Sequence, residues 1–339
     1  MSAATQTGLI PTGAVRHNEM SVFFAMAALL ALAPFGIYPF FLMQAMCFAL
    51  FACAFNLLIG YVGLLSFGHA MFFGFAGYIA AHFAKLGTID FTIPLIGIGP
   101  HINLGPINPA WAILLAVIAS AILGLLTGAL AIRRQGIYFA MITLALSQMI
   151  YFFCLQAPFT HGEDGIQSVP QGRFLGLFDL SHQMTMYYVV LAIFLFGFFA
   201  IYRTINSPFG EILKAIRENE PRAISLGYKV DRYKLAAFVL SAALAGLAGG
   251  TKALVSQNAS LTDVHWSMSG EVVLMTLLGG MGTVFGPVIG AVVIVAMQNY
   301  LAQYGQWVTV IQGIIFVACV LLFRKGIIGE IAAKLKTAL

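Results

Sequence analysis

Long apolar stretches without a charged residue dominate the sequence. Three of them contain no Asp, Glu, Lys or Arg: Met20–Ala84, Phe91–Ile132 and Val272–Phe323. Because about 20 apolar residues cross the hydrocarbon core of a membrane as a helix, each stretch holds more than one crossing, or one crossing with an apolar loop. A membrane β-barrel would instead show short segments of alternating hydrophobicity. The pattern therefore predicts an all-α, polytopic membrane protein.

The apolar runs also locate individual membrane spans. Before residue 252 they predict Met20–Tyr38, Pro39–Gly60, Ser66–Ala84, Ala110–Ile132, Gly136–Gln156, Gln183–Tyr202 and Leu235–Thr251. Short loops rich in Arg and Lys stay on the cytoplasmic side of a membrane. We therefore expect the Arg133–Arg134 turn, the segment 203–234 and the basic tail 324–339 to lie inside, together with the N-terminal tail 1–19.

The number of spans follows from this alternation of loops. The segments 85–109, 157–182 and 252–270 are then outside, so a basic tail inside requires an odd number of later crossings. Three shorter crossings fit, separated by the Gly-rich segment Gly279–Gly282 and by Gln303–Gln306. The transmembrane domain then has roughly ten helices, some of them broken at glycines.

Composition agrees with a lipid environment. Charged residues make up 9% of the chain and hydrophobic residues 60%, whereas a soluble domain carries about a quarter charged residues. The net charge of +5 could suggest nucleic acid, but the cations lie in short loops between apolar runs, as topology determinants do. We therefore expect a lipid bilayer and no nucleic acid as partner.

Small residues four apart predict close helix packing within the chain, as in Gly124/Gly128 and Ala242/Gly246/Gly250.

The sequence lacks the motifs of common catalytic and cofactor sites. It contains no Gly-x-x-x-x-Gly-Lys-Ser/Thr phosphate loop, no His-Glu-x-x-His, no Cys-x-x-Cys and no Gly-x-Ser-x-Gly. The predicted spans hold no acid or base for ion coupling, and the nearest acid, Glu271, is expected to cap its helix. We expect no enzyme, no metal site and no cofactor bound by this chain. A transporter of this kind takes energy from a partner or runs downhill.

The longest polar segment, residues 203–234, predicts a docking element. Ser207 can cap a helix that starts at Pro208, and a second short helix is expected from Pro221 to Gly227. The first helix carries an apolar stripe formed by Ile212, Leu213 and Ile216. Because acids, bases and capping residues are mixed here, docking into a protein groove is favoured over lying in lipid headgroups.

A set of short segments resembles a known family. They are Ser207–Glu211, Ala215–Glu220, Leu226–Tyr228 and Tyr233–Phe238 in the polar segment, and Gly60–Gly74, Gly136–Ala145, Gly162–Ile166 and Leu278–Ala291 elsewhere. Together they resemble the permease subunits of branched-chain amino acid ABC importers, the LivM type. The resemblance covers most of the chain. Its most specific parts are the polar segment and the two Gly-rich segments.

The resemblance implies a heteromeric importer in a bacterial inner membrane. Residues 20–323 would form the transmembrane permease domain, paired with a second homologous permease chain. Two cytosolic ABC ATPase subunits would use ATP to drive transport. An extracytoplasmic substrate-binding protein would deliver branched-chain or related small, polar amino acids.

The resemblance also implies that residues 207–227 form a coupling loop on which an ATPase docks. The candidate docking residues are Ser207, Pro208, Glu211, Lys214, Arg217, Glu218, Glu220, Arg222 and Gly227. ABC importers often carry Glu-Ala-Ala in this loop, whereas here Pro221 and Arg222 follow Glu220. The glycine of the pattern is kept at Gly227. The different residues at 221 and 222 therefore bear on how the loop docks and not on whether it docks.

Two Gly-rich segments, Gly60–Gly77 and Gly279–Gly290, are candidates for the translocation pathway. Broken helices expose backbone amides and carbonyls, which can bind a zwitterionic solute without a fixed charge. The residues expected to line the pathway are Asn56, Ser66, His69, Gly279, Gly280 and Gly282. For each of them, tight packing with interhelical hydrogen bonds is an equal alternative. The imidazole of His69 is expected to be neutral and not a metal ligand.

The residues alone leave other functions open. A stand-alone channel or a secondary carrier would have similar spans, and urea or another small solute could replace the amino acid. Selection in such systems rests mostly with the binding protein, so the permease sequence does not identify the substrate. Genes for ATPase and binding-protein subunits beside this one would favour the importer.

Overall fold

The computed structural model describes residues 12–85, 89–90, 101–102, 108–174, 176, 178–301, 303, 305, 307–322 and 326–335. Helices account for most of these residues. The strands among them form two-residue pairs: β1 (Ile89–Asp90) with β2 (His101–Ile102), β3 (Ile166–Gln167) with β6 (Asn258–Ala259), and β4 (Arg173–Phe174) with β5 (Phe178–Asp179). Most of the predicted loop 85–109 and parts of both predicted tails, namely residues 1–11, 324–325 and 336–339, lie outside the described residues.

The helices follow the apolar runs of the sequence. Before the coupling loop these are α1 (Thr12–Leu32), α2 (Pro39–Asn56), α3 (His69–Lys85), α4 (Pro109–Ala131), α5 (Ile137–Gln156) and α6 (Gln183–Ile205). The loop itself forms α7 (Pro208–Glu218) and α8 (Glu220–Ser225). After it come α9 (Val230–Val255), α10 (Trp266–Gly279), α11 (Gly286–Leu301), α12 (Trp307–Leu322) and α13 (Gly326–Leu335).

Helix lengths confirm the prediction of a polytopic helical membrane protein. Five helices within the described ranges are long and apolar enough to cross a membrane: Pro39–Val62, Pro109–Ala131, Ile137–Gln156, Gln183–Ile205 and Val230–Val255. Shorter apolar helices accompany them, including α11. The shortest predicted crossing, α10, has 14 residues and is therefore about 21 Å long, less than the ~30 Å hydrocarbon core. The total of roughly ten crossings stays a prediction.

Helix α2 lies at the centre of the bundle. In the most apolar part of Pro39–Val62, 94% of the residues are buried, as expected for a helix that is hydrophobic on all sides. It packs against α6, α9 and α11. At its end the backbone continues as a π-helix, Leu57–Val62, and regular helix resumes only where α3 begins at His69. The predicted interruption of the helical run near Gly60 is thus confirmed.

Small residues bring α9 close to its neighbours. A Cβ atom at Gly249 would lie 1.9 Å from the carbonyl oxygen of Phe73 in α3. A Cβ atom at Gly246 would lie 2.5 Å from the Ser120 hydroxyl oxygen in α4. Only glycine permits these close approaches, which membrane helices use because lipid supplies no hydrophobic driving force between them. The predicted close packing of small residues within the chain is confirmed at these contacts.

The loops gather at two opposite ends of the bundle. At the coupling-loop end, Gln135 between α4 and α5 donates to Glu220 in α8 at 2.9 Å. At the far end, β3 pairs with β6, and Lys85 donates to the carbonyl oxygen of Gln167 at 3.3 Å. The loops predicted to share a side of the membrane therefore meet at the same end of the bundle.

One helix is longer than its predicted span, and one sequence prediction is wrong. Helix α9 runs from Val230 to Val255 and so extends beyond the predicted span Leu235–Thr251 at both ends, with Lys234 and Lys252 inside the helix. Glu271 does not cap α10, because the side chain of His265 caps that helix by accepting from the Ser267 amide at 3.3 Å. Glu271 instead accepts a hydrogen bond from Gln298 in α11 at 2.9 Å, which an apolar sequence pattern does not reveal.

Candidate functional site

Helix α7 forms as the sequence predicts. The Ser207 hydroxyl accepts from the Gly210 amide at 3.3 Å, which satisfies a free donor of the first turn, and Pro208 occupies the first turn. The apolar stripe faces the body of the protein, where Leu213 and Ile216 are buried. The opposite face carries Glu211, Lys214 and Glu218, with Lys214 paired to Glu211 at 2.8 Å. The helix therefore has one attached face and one face available to a partner.

Helix α8 begins one residue earlier than predicted. The side chain of Asn219 accepts from the Arg222 amide at 3.1 Å and so caps a helix that starts at Glu220, with Pro221 in its first turn. Gly227 after this helix has a φ of 89°, a left-handed conformation that glycine adopts without strain. The tight turn predicted at Gly227 is therefore observed.

Glu220 faces the body of the protein. Its Oε1 lies 2.7 Å from Nζ of Lys234 on α9, and the same atom accepts from Gln135 at 2.9 Å. Lys234 is buried, with 3% of its surface exposed. A buried cation needs such a partner, because removing one member leaves the other charge uncompensated. Glu220 thus anchors α8 to the bundle.

Exposed apolar side chains on α8 and in the turn that follows it were missed by the sequence analysis. Ile224 is 56% exposed, Leu226 is 69% exposed and Tyr228 is 41% exposed, beside the exposed Arg222. Large apolar residues at the tip of a polar loop are typical of a surface that a partner covers. The signal was present in the sequence as two aliphatic residues near Gly227 in an otherwise charged segment.

Arg217 also points towards the bundle. Its guanidinium Nη1 donates to the carbonyl oxygen of Gly60 in the π-helical end of α2. A cavity of about 380 Å³ lies beside this contact. It is lined by Tyr61, Lys214, Arg217, Glu218 and Gly282. Arg217 was expected to dock an ATPase, and its side chain contacts the first Gly-rich segment.

The two Gly-rich segments meet at Asn56. The Asn56 amide nitrogen donates to the carbonyl oxygen of Thr283 at 2.8 Å, and the Gly282 amide donates to Asn56 Oδ1 at 3.0 Å. A Cβ atom at Gly60 would lie 2.3 Å from Asn56 Oδ1 and 2.8 Å from the Gly282 nitrogen. Glycine at position 60 is therefore needed for this contact between the end of α2 and the turn after α10.

Gly279 and Gly280 shape that turn. A Cβ atom at Gly279 would lie 1.9 Å from the carbonyl oxygen of Gly286. Gly280 has a φ of 123°, and its carbonyl oxygen accepts from the Thr283 hydroxyl at 2.8 Å. The predicted break between α10 and α11 is thus confirmed as a turn that depends on glycine.

Ser66 and His69 lie in a second, fully buried cluster. His69 Nε2 is 2.9 Å from the Ser241 hydroxyl, which donates to the carbonyl oxygen of Ala54 at 2.5 Å. Ser66 Oγ accepts from the Gly68 amide at 3.3 Å. Both residues have no exposed surface in this conformation. The structure therefore separates the candidate pathway residues into this packed cluster and the group around Asn56, and their role in a pathway stays a prediction.

No group of three or more His, Cys, Asp or Glu residues in the described ranges is placed to hold a metal ion. Three of the cysteines, Cys47, Cys53 and Cys154, are free thiols buried between helices.

An apolar helical bundle with broken helices and an external two-helix loop defines a polytopic membrane protein. Comparison with protein families identifies it further. Residues 37–322 match the family described as "Branched-chain amino acid transport system / permease component". The chain belongs to this family. The predicted resemblance to permease subunits of branched-chain amino acid ABC importers is thereby confirmed.

Individual relatives agree with the family match. The permease protein LivM of Salmonella typhimurium is 26% identical over 319 residues, covering 86% of this chain and 70% of the relative. A probable LivM of Methanocaldococcus jannaschii is 25% identical over 273 residues, covering 74% of this chain and 76% of the relative. The ribose import permease RbsC of Bacillus subtilis is 30% identical over 169 residues, covering 48% of this chain and 50% of the relative. No solved structure matches.

Proposed function

We propose that this chain is the membrane subunit of an ATP-driven importer that moves branched-chain amino acids, or closely related small, polar amino acids, into the cell. The observation that carries the proposal is the family match over residues 37–322. The LivM relatives are high-affinity branched-chain amino acid transport permeases by name, and they cover most of the chain.

The energy for transport comes from partner subunits. The 339-residue sequence has no phosphate-binding loop of the Gly-x-x-x-x-Gly-Lys-Ser/Thr type, so ATP is hydrolysed by two cytosolic ATPases and not by this chain. The ATPase docks on the outer face of α7 and α8. Support comes from the exposed Ile224 and Leu226 on that face, next to charges of both signs. No cofactor is bound by the chain itself.

The complete importer contains two further components. A second homologous permease chain completes the pathway across the membrane, because each permease supplies one docking loop to one of the two ATPases. An extracytoplasmic binding protein delivers the substrate to the far end. Both components are inferred from the family to which this chain belongs.

The chain resides in a bacterial inner membrane with both termini in the cytoplasm. The basic residues support this orientation, since Arg133, Arg134 and the cations of the coupling loop occupy one end of the bundle. The coupling-loop end then faces the cytoplasm and the far end faces outwards.

The translocation pathway passes the group around Asn56. Gly279, Gly280 and Gly282 supply backbone amides and carbonyls there, and such groups bind both charges of an amino acid without a fixed charge on the protein. Ser66 and His69 reach the pathway only when the bundle rearranges, because both are fully buried.

A different substrate is the second candidate. The ribose permease is 30% identical over 48% of this chain, whereas LivM of Salmonella typhimurium is 26% identical over 86% of it. Related scaffolds therefore carry chemically different solutes, and urea, a short amide or a sugar is the alternative cargo.

The test is uptake by the assembled transporter in proteoliposomes with ATP trapped at the coupling-loop side. Radiolabelled leucine, isoleucine and valine are compared with urea and ribose, in the presence of the cognate binding protein. We expect uptake of the amino acids that requires ATP and survives a proton ionophore. Uptake that needs a proton gradient and no ATP would identify a secondary carrier, and uptake of urea or ribose alone would identify the second candidate. Liposomes without this chain are the control.

A further inference from the structure

Arg217 differs from the other charged residues of α7 because it ties this helix to the interior. It lies in the last turn of α7, and its guanidinium donates to the carbonyl oxygen of Gly60. The stem of the side chain passes over Gly63, where a Cβ atom would lie 3.2 Å from Arg217 Cγ. Gly63 has a φ of 79° and follows the π-helix directly. The contact therefore joins the coupling loop to the point where α2 ends.

The segment that Arg217 contacts is bonded in turn to the second Gly-rich break. Asn56, one turn before Gly60, holds Thr283 and Gly282 through two hydrogen bonds of 2.8 and 3.0 Å. Gly282 is also close to Arg217, since a Cβ atom there would lie 3.3 Å from Nη1. Three parts of the chain that are remote in sequence thus converge: α7, the end of α2 and the turn between α10 and α11.

The surroundings of this contact allow it to open. The cavity of about 380 Å³ beside it is lined by Lys214 and Glu218 from α7, and by Tyr61 and Gly282 from the two breaks. Arg217 lines this cavity and is itself an exposed residue. Water can therefore replace the Gly60 carbonyl as the partner of the guanidinium when α7 moves away, so no buried charge is left unpaired.

We propose that Arg217 is a positioning residue that holds the coupling-loop mouth of the pathway closed and releases it when a docked ATPase displaces α7. The inference rests on the proposed function. The outer face of α7 takes the partner, and Arg217 transfers its displacement to Gly60 and Gly282. Arginine suits this role because its planar guanidinium donates to Gly60 while it lies beside Gly282, whereas lysine offers a single ammonium.

The first test is thiol labelling of the purified chain in lipid nanodiscs. Val62 lies between the two glycines that Arg217 contacts and is 3% exposed, so the variant Val62→Cys reports whether the π-helix separates from α7. We expect a water-soluble maleimide to label Val62→Cys about tenfold faster when Arg217→Ala is added, the factor expected for loss of a charge-assisted hydrogen bond. The chain without Val62→Cys gives the background from the native cysteines.

The matched control is Lys214→Ala. Lys214 lines the same cavity and is one turn earlier on α7, but it pairs with Glu211 on the exposed face. Labelling of Val62→Cys should not change in this variant. Equal labelling rates in the Arg217→Ala and Lys214→Ala backgrounds would overturn the proposal. Arg217→Lys, which keeps the charge and most of the volume, gives a second reading if Arg217→Ala does not fold, with an intermediate rate expected.

The second test measures the coupling ratio in the assembled transporter. With Arg217→Ala, ATP hydrolysis stimulated by the loaded binding protein should stay within about twofold, while uptake per ATP falls about tenfold. A parallel loss of stimulated hydrolysis and uptake would show that Arg217 only docks the ATPase, and would overturn the proposal. Failure of the proposed function can be told apart from failure of the Arg217 proposal. In the first case the wild-type complex shows no ATP-dependent uptake, and the labelling result does not depend on uptake.

Discussion

Helix α9 carries an ion-paired lysine near each end, buried at Lys234 and largely buried at Lys252, and the two ends are held in different ways. At the coupling-loop end, Lys234 pairs with Glu220 of the short helix α8 at 2.7 Å. At the far end, Lys252 pairs with Asp263 at 2.5 Å. Both pairs bury charge, but only the first connects α9 to an element that protrudes from the bundle.

The surroundings of the two pairs explain the difference. Near Lys252, backbone pairing between β3 and β6 and the hydrogen bond from the Val169 amide to the Gln257 carbonyl at 3.1 Å brace the chain. Near Lys234, α8 is attached mainly through side chains, as α7 is through Arg217. A few side-chain contacts can be exchanged one by one for contacts with water. Paired backbone segments must instead break several hydrogen bonds together before they open. The coupling-loop end is therefore the end that an external subunit can move.

The comparison predicts the largest loss of stability at the far end. Lys252→Met leaves Asp263 buried without a partner, since the side chain of Asp263 is only 9% exposed. We expect a loss of about 3–5 kcal/mol in the free energy of unfolding, measured by denaturant titration in mixed micelles. The double variant Lys252→Met/Asp263→Leu should regain most of it, because no charge remains buried. A loss below about 1 kcal/mol in the single variant would show that the far end is not locked by this pair.

A second prediction compares two glycines of the α10–α11 hairpin. A Cβ atom at Gly290 would lie 1.8 Å from the carbonyl oxygen of Met275, whereas a Cβ atom at Gly270 meets nothing within 4 Å. Gly290→Ala should destabilise the protein by about 1–3 kcal/mol through overpacking. Gly270→Ala should stabilise it by up to about 1 kcal/mol, because alanine favours the helix. Thermal unfolding of the two variants side by side measures this difference, and equal shifts would refute the close approach of α10 and α11.

A smaller effect on stability is expected at the coupling-loop end. In Lys234→Met, Glu220 keeps its hydrogen bond from Gln135 and remains 20% exposed at its side chain, so water compensates it in part. We expect a loss of about 1–2 kcal/mol, below that of Lys252→Met. The variant should lower the uptake rate more strongly than the free energy of unfolding, because α8 is no longer held to α9. A stability loss equal to that of Lys252→Met would remove the distinction between the two ends.

The architecture could be read from the sequence because its cause is local. Charge-free runs of apolar residues predicted the helices, and glycine clusters predicted the breaks near Gly60 and Gly279. Ser207 and Gly227 marked the limits of the coupling loop, since capping and left-handed turns depend on single residues.

The contacts of the coupling loop could not be read in the same way. Arg217 and Glu220 look like surface charges in the sequence, yet they reach Gly60 and Lys234 at the bundle. Which charged side chain turns inwards depends on the tertiary path of segments far apart in sequence. The burial of His69 against Ser241 has the same origin, because the two residues are 172 positions apart.

The most direct test of ATPase docking on the coupling loop replaces the exposed docking surface and leaves the inner contacts intact. Ile224 and Leu226 are 56% and 69% exposed at the tip of the coupling loop, so Ile224→Ala/Leu226→Ala should insert and purify like the wild type. ATP-dependent uptake and ATP hydrolysis are measured together in proteoliposomes. We expect uptake to fall about tenfold or more and hydrolysis no longer to respond to substrate, because buried contacts at a docking surface carry most of its binding energy. Undisturbed uptake with normally stimulated hydrolysis would show that no ATPase docks on this surface.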